Sequence, residues 1–475
     1  MASGTPKADV ANEQEETYNV AFCYLPFIVD GQTDTTEAYE LALKALGGSD
    51  SWKQVEDKAS YLLRYICEKY DPSFPDCQCH HFRLRGSNSL SLGIGKADSW
   101  RRVTLKDVVD GTPYCDFFIS DVSCYAFSTS INILVYKLRF ASSDPLVIST
   151  ELSLLKKVRG TRIVPTARDR QGKIAEKALA KGEGVTLHEL SELILSSAGL
   201  GESRSYFFYA NEGRERMNVL MHVEAAKGVD AKSTLFYLGN CYNKSFDYDG
   251  RRAIPTKMYW ASPTTAWACS SEALACLTVP DCATSERARK FVTGGFRYNF
   301  LTSYQFLYLM LLHQKYEYYR LLMSIGAGER RDRAQLEQFR RELEVFRANF
   351  VFSRVSETQQ YQHLYDMVAN ELRLEEMDRD VGKPIEALRT LRREEEAGKR
   401  RQEEDAERES DRRIGNALNT FTMLAGISAL FDGLELINNY VPLHVPEGVA
   451  DWLSLALAVV LVVVMAKTAN ALRRN

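Results

Sequence analysis

The chain has 475 residues, of which 45% are apolar, 26% charged and 11% aromatic, with a formal net charge of −3. Those averages exclude a collagen-like, low-complexity or largely disordered chain, and a mean hydropathy of −0.28 excludes a protein built chiefly of membrane spans. The length allows two to four domains at roughly 150 residues each, and the near-neutral balance gives no reason to expect a nucleic-acid duplex as partner.

Residues 1–17 are polar and acidic, without an apolar run, and read as a disordered tail rather than a signal peptide. Ten cysteines all fall before residue 300 at irregular spacing. Their expected state is reduced, within a cytosolic fold. One cluster stands out: Cys77, Cys79, His80 and His81 are all good metal-ligand types. Its spacing is not that of a zinc finger, and alternating residues of a strand point to opposite faces, so a plain loop-to-strand segment competes with a metal site.

Residues 18–298 read as a cytosolic α/β domain. Runs rich in Val, Ile, Phe and Tyr predict strands at 18–27, 115–122, 131–140, 205–210, 217–223 and 234–238. Apolar residues at 3–4 spacing predict helices at 36–46, 51–70 and 186–197. No linear nucleotide-binding or catalytic motif is present, so no enzyme activity is expected. Six cations lie close together at Lys156, Lys157, Arg159, Arg162, Arg168 and Arg170. With neighbouring Gly and Pro they read as a loop, either simply solvated or a site for an anionic, nucleotide-like ligand.

Residues 299–383 read as a helical subdomain. It comprises an aromatic helix at 300–323 whose uncharged run stops at Lys315, and two amphipathic helices at 329–346 and 355–381. Gly382-Lys383-Pro384 punctuates them, and Pro384 suits the first turn of a new helix. Residues 384–413 then read as a charged stalk. From Arg392 to Arg413, eight residues are basic and nine acidic, too many to bury a core, while opposite signs at i,i+4 support a solvated helix.

Residues 414–475 carry two uncharged segments, 414–431 and 452–466. No Lys or Arg falls between them, and basic residues flank the pair on both outer sides. The expectation is a two-helix transmembrane hairpin in the inner or plasma membrane with both termini cytosolic. Gly415, Asn419, Thr422, Gly426 and Ala429 recur at 4-3-4-3 spacing and form one small or polar face. That face suits either close helix packing or a pore. Two spans cannot enclose a pore, so a pore requires a homo-oligomer in membrane lipid, with those residues lining it. Asp432, Glu435, Glu447 and Asp451 would then attract cations at the outer mouth.

The C-terminal part, from about residue 339, resembles the CorA family of two-span magnesium channels. The resemblance rests on the segments 350–356 and 362–365, on Thr422-Met423-Leu424-Ala425-Gly426-Ile427, similar to the family's T-F-I-A-G-I, on 438–443 as its outer loop, and on Trp452 as the start of its second span. It implies a homopentamer gated by its cytosolic domain that conducts a divalent cation such as magnesium. The family's G-M-N signature is missing. Ala429-Leu430-Phe431 stands in its place, with Gly433-Leu434-Glu435 one turn later. That absence and the basic loop suit CRISPR-associated CorA-like membrane effectors gated by a nucleotide messenger. A membrane-tethered enzyme is the third reading.

Overall fold

A computed structural model describes residues 18–29, 35–56, 61–85, 92–95, 99–103, 116–165, 167–168, 174–175, 184–201, 205–209, 215–249, 256–326 and 333–440, together with 452, 456, 459, 460, 463, 466 and 467. The chain forms two units, Met1–Arg389 and Thr390–Asn475.

The first unit is built on a mixed sheet with the order β10-β7-β4-β5-β6-β1-β12-β15-β14-β13. Its centre is β1 (Val20–Val29), which pairs antiparallel with β6 (Ile131–Phe140) on one side and with β12 (Asn218–Glu224) and β11 (Ser205–Phe207) on the other. A strand covered on both faces needs apolar residues at every position rather than at alternate ones. The β1 sequence VAFCYLPFIV supplies that. Beyond β6 lie β5 (Phe117–Phe127), β4 (Arg101–Val103), β7 (Arg162–Pro165) and β10 (Val185–Thr186). The hairpin of β2 (Trp52–Val55) and β3 (Cys79–Leu84) also pairs with β5. Beyond β12 lie β15 (Ala273–Thr278), the one parallel neighbour in this order, then β14 (Thr265–Cys269) and β13 (Lys257–Ser262). A separate two-stranded ribbon joins β8 (Ala167–Arg168) to β9 (Ile174–Ala175).

Two apolar layers sandwich the sheet. One side, with Cys23, Leu25 and Phe27 of β1, is covered by α1 (Thr35–Gly47), α3 (Pro145–Leu155), α4 (Leu187–Ser196) and α5 (Ala231–Asn240). Asp144 caps α3, Thr186 and Glu189 form a reciprocal capping box on α4, and Asp230 caps α5, so each of these three helix starts has a side-chain acceptor for a free first-turn N–H. The other side, with Phe22 and Tyr24, is covered by α2 (Arg64–Tyr70), α7 (Gln305–Gly326), α8 (Arg333–Phe350), α9 (Gln359–Glu371) and the first turns of α10 (Leu374–Tyr440). A short α6 (Glu286–Lys290) and two π-helical stretches, at 291–296 and 300–304, lead into α7.

Helix α7 is buried along most of its length, and several of its polar groups are paired. His313 stacks on Phe127 at 3.8 Å, with Nε2 2.8 Å from the Thr129 hydroxyl. Arg320 bridges Glu317 and Glu342. Burial pushes the His313 imidazole well below its ordinary range, and burial followed by Arg297 brings His222 of β12 down to about 3. The unfolded chain takes up these protons near pH 6.5 and the folded chain refuses them, so the stability is whole above that pH and lost below it. His222 alone costs about 2 kcal/mol at pH 5. The urea midpoint is expected to fall between pH 7 and pH 5. An unchanged midpoint would show that these imidazoles do not stay neutral in the fold.

Several expectations need correction. The segment 51–70 is not one helix: Trp52–Val55 pairs with β3 as a strand, and the helix begins at Arg64. Residues 234–238 lie inside α5, whose start is fixed by the Asp230 cap. The helix expected at 355–381 is two. It breaks at Arg373, which adopts φ +56° between α9 and α10. Pro384 starts no helix but lies inside α10, where Leu374, Met377, Val381 and Ile385 continue one buried stripe past it. Packing of that stripe outweighs the lost backbone hydrogen bond.

The largest correction concerns the membrane. Among the described residues, no helix is long and apolar enough to cross one. Residues 414–431 are a stretch of the 67-residue α10. They are diluted by Asn416, Asn419, Thr420 and Thr422 and follow directly on the charged run. Most of 452–466, as well as Glu447 and Asp451, lies outside the described residues. The expected transmembrane hairpin, its inner- or plasma-membrane placement and with it the channel find no support in the described helices. Gly415, Asn419, Thr422, Gly426 and Ala429 belong to that same uncharged stretch. They lie along α10 in the second unit, where Asn419, Thr422, Gly426 and Ala429 are exposed, as is Asp432. The Thr422 hydroxyl donates back to the Leu418 carbonyl at 2.8 Å. Glu435 is on the same helix.

Candidate anion site at the β14–β15 turn

The six cations of the basic stretch do not form one site. Lys156 ends α3 and is buried, whereas Lys157 is exposed and bridges to Arg216 through the backbone. Arg159 pairs with Glu215 at 3.2 Å and lies over the Tyr209 ring. Arg162 reaches the Gly184 carbonyl and Glu189. Arg168 lies in β8, its side chain outside the described residues, and Arg170 is outside them altogether. Arg159 and Arg162 are thus already occupied by acids. Of the six, among those whose side chains are described, only Lys156 is buried.

Lys156 leads to a cluster assembled from distant parts of the chain. Where β14 turns into β15, Glu272 accepts from Lys156 Nζ at 2.9 Å and from Arg216 Nη1 at 3.2 and 3.1 Å. Lys156 also donates to the Asn240 carbonyl at the end of α5, at 3.0 Å. Asn218, the first residue of β12, donates to the carbonyls of Ser271 and Glu272, and its own Oδ1 accepts from the Tyr316 hydroxyl. From the opposite helical layer, Lys315 of α7 directs Nζ at the Ser271 carbonyl, 3.4 Å away. The turn is tightened by Ser270, whose Oγ accepts from the N–H groups of Glu272 and Ala273. The cluster therefore sits at the end of the sheet, with Lys156 supplied by one layer and Lys315 by the other.

Its electrostatics are unbalanced. Three cations, Lys156, Arg216 and Lys315, face the single carboxylate of Glu272. Burial pushes that carboxyl up, but Lys156 and Arg216 more than offset it and hold it below its usual range. Lys315 is only 3% exposed, and among the described residues no carboxylate lies within ion-pair distance of it. Burial brings its amine down to about 8, against the pull of Glu272. Arg216 Nε is a further buried donor without a hydrogen-bond partner among the described residues. A buried cation without a counter-charge is expensive, and a native fold that retains one is a candidate for binding the missing anion. Chemically, the arrangement concentrates buried positive charge around one carboxylate, and oxyanions are the ligand chemistry that such charge favours.

The Cys77–His81 segment is divided by the strand it enters. The Cys77 thiol donates to the Cys79 carbonyl at 3.0 Å, and Cys79 is buried against the α7 layer. His80 meets the Tyr39 hydroxyl at 2.9 Å, while His81 stacks on Tyr125 at 4.1 Å. Among the described residues, no group of three or more His, Cys, Asp or Glu is placed to hold a metal ion.

No family model matches the chain, and neither the curated proteins nor the solved structures contain a match to it. The site thus stands on its own geometry. Arg216 and Asn218 stand two residues apart, but Glu272 and Lys315 lie dozens of residues further on, so the grouping escapes sequence reasoning. The one local signal is Lys315 itself, a cation in the middle of an aromatic helix.

Proposed function

We propose that this protein is a non-catalytic receptor for a small phosphorylated anion, and that it acts as a homo-oligomer assembled through α10. The observation that carries the reading is the excess of buried positive charge around Glu272, above all the unpaired Lys315. Support for assembly comes from the second unit, where Ile414, Leu418, Phe421 and Leu424 leave large apolar side chains in water along α10. Such side chains on one helix call for a partner.

A second reading is favoured by the order of elements. An α/β domain, then α8 and α9, then one very long helix is the build that the CorA resemblance implies, so kinship with that family and a response to a divalent cation remain a proposal. Conduction forms no part of it. Calorimetric titration of the full chain with pyrophosphate, and separately with magnesium chloride, distinguishes the two. Saturable pyrophosphate binding supports the receptor. Magnesium binding without any pyrophosphate binding would replace it with the cation reading.

A further inference from the structure

The chain enters the described fold at Tyr18, and its point of entry is basic. The Tyr18 N–H reaches Glu224 Oε2 at 3.5 Å. The Tyr18 ring lies under the Arg297 guanidinium, 5.0 Å away, and Arg297 donates from Nε and Nη2 to Glu224, both at 2.6 Å. Arg297 follows directly on the π-helical stretch 291–296, which itself continues α6. This element buries Val292, Phe296, Asn299 and Phe300 and turns its other face outward. The outward face starts with Arg287 and Lys290, both exposed, and continues with Phe291 and Tyr298, which are 52% and 53% exposed. Phe291 lies back along the helix, since a Cβ on Gly295 would stand 3.0 Å from its ring. Beside it the surface is open: a Cβ on Gly294 would meet nothing within 4 Å among the described residues.

A single exposed aromatic residue is ordinary. Two on one helical face, beside two cations, mark a surface that takes a partner. Among the described residues, neither Arg287 nor Lys290 has a carboxylate within ion-pair distance. Arg289 is held by Asp281 at 3.3 Å, and Glu286 is the one acid of α6. The segment that answers this charge is the one leading into Tyr18, which lies outside the described residues. Residues 8–17 hold Asp9, Glu13, Glu15 and Glu16 and no base. Its reach agrees with the size of the face. From Arg297 back to Arg287 the helix rises about 15 Å at 1.5 Å per residue, and the chain from Tyr18 back to Glu13 spans up to about 17 Å when extended. We propose that residues 13–17 dock along this face as a strap, with Glu13, Glu15 and Glu16 set against Arg287 and Lys290 and the backbone passing over Phe291 and Tyr298. The strap is independent of the anion cluster. Its ion pairs lie at the surface, so each is weak and screened by salt, and the strap opens as ionic strength rises.

The experiment is hydroxyl-radical footprinting of the full chain, with the oxidation rates of the Phe291 and Tyr298 rings read by peptide mass spectrometry. Trp260 of β13, 45% exposed, serves as the internal reference. Four proteins are compared: the wild type, Glu13→Lys/Glu15→Lys/Glu16→Lys, Arg287→Glu/Lys290→Glu, and the combination of all five substitutions. Each reversal alone is expected to raise the rates at Phe291 and Tyr298 roughly threefold or more relative to Trp260, the size that two or three exposed ion pairs allow. The combined protein restores opposite charges in exchanged positions and is expected to return both rates toward the wild-type values. Added salt is expected to raise the wild-type rates and bring them toward those of the reversed proteins. Equal rates in all four proteins, a combined protein as reactive as either parent, or wild-type rates that do not change with salt would each overturn the strap. Arg287 and Lys290 are exposed, so reversing them is not expected to disturb folding; circular dichroism of each variant checks this.

Discussion

Replacing Lys315 with methionine is expected to make the protein more stable and to weaken its pyrophosphate binding at least tenfold. The two effects share a cause. Lys315 is almost fully buried, with no carboxylate at ion-pair distance among the described residues, and burial lowers its amine from 10.5 to about 8. A fall of that size means that holding the cation in the fold costs about 3 kcal/mol relative to water. Methionine has similar reach and removes that cost while filling the space, so a gain of about 1–3 kcal/mol at pH 7 is expected. A lysine whose role was structural would behave in the opposite way, and its removal would destabilise. The pH dependence gives an independent check. A folded-state pKa below the unfolded one means that the unfolded chain holds the proton between pH 8 and 10.5 while the folded chain does not. Wild-type stability therefore rises relative to Lys315→Met through that window, by about 2 kcal/mol at pH 9.5. Urea denaturation of both proteins at pH 7 and 9.5, with pyrophosphate titration at pH 7, reads all three quantities. A destabilised variant that still binds pyrophosphate would sink the receptor.

The sheet's centre was readable because both faces of β1 are covered, which leaves an unbroken apolar run that little else produces. The helical second half was readable from 3–4 spacing, but its boundaries were not. Arg373 ends a helix by its left-handed backbone rather than by being a glycine or proline, and Pro384 fails to end one because the stripe from Leu374 to Ile385 is packed on both sides of it. Residues 234–238 show the ambiguity of a short apolar run, which periodicity alone does not assign to strand or helix. The anion cluster was legible only at its Lys156 end. Local charge density pointed at a basic loop, yet Arg159 and Arg162 of that loop are matched by acids far away in sequence, Glu215 and Glu189. The imbalance lies instead where Arg216, Glu272 and Lys315 meet, and that meeting is a product of topology. The uncharged segment at 414–431 misled for a related reason. Absence of charge is a weaker condition than apolarity, and Asn416, Asn419, Thr420 and Thr422 satisfy the first while opposing the second.

That same segment carries the second large expected effect. The full chain is expected to sediment as a homo-oligomer at micromolar concentration, and Phe421→Glu to convert it to a monomer. Helix α10 runs for 67 residues, about 100 Å at 1.5 Å per residue. Its charged stretch is supported internally by pairs such as Arg413 with Glu409 at 2.7 Å, so no partner is needed there. Beyond Arg413 the helix changes character. Leu418 is 66% exposed and Phe421 71%, and Ile414 and Leu424 share their 3–4 spacing. Burying four such side chains yields about 6–12 kcal/mol per chain, which exceeds the lower estimates of the cost of association. The Thr422 hydroxyl is already satisfied by the Leu418 carbonyl, so it imposes little penalty beside such a contact. Glutamate at 421 would place a carboxylate in the centre of the buried seam, where its desolvation outweighs the area gained. The opposite face supplies the control. A side chain at Gly426 meets nothing within 4 Å, so Gly426→Leu is expected to leave the oligomer intact if the large apolar residues form the seam, and to break it if the small residues pack face to face. Sedimentation equilibrium of the three proteins separates these outcomes, and a wild-type monomer across the micromolar range would remove assembly from the reading altogether.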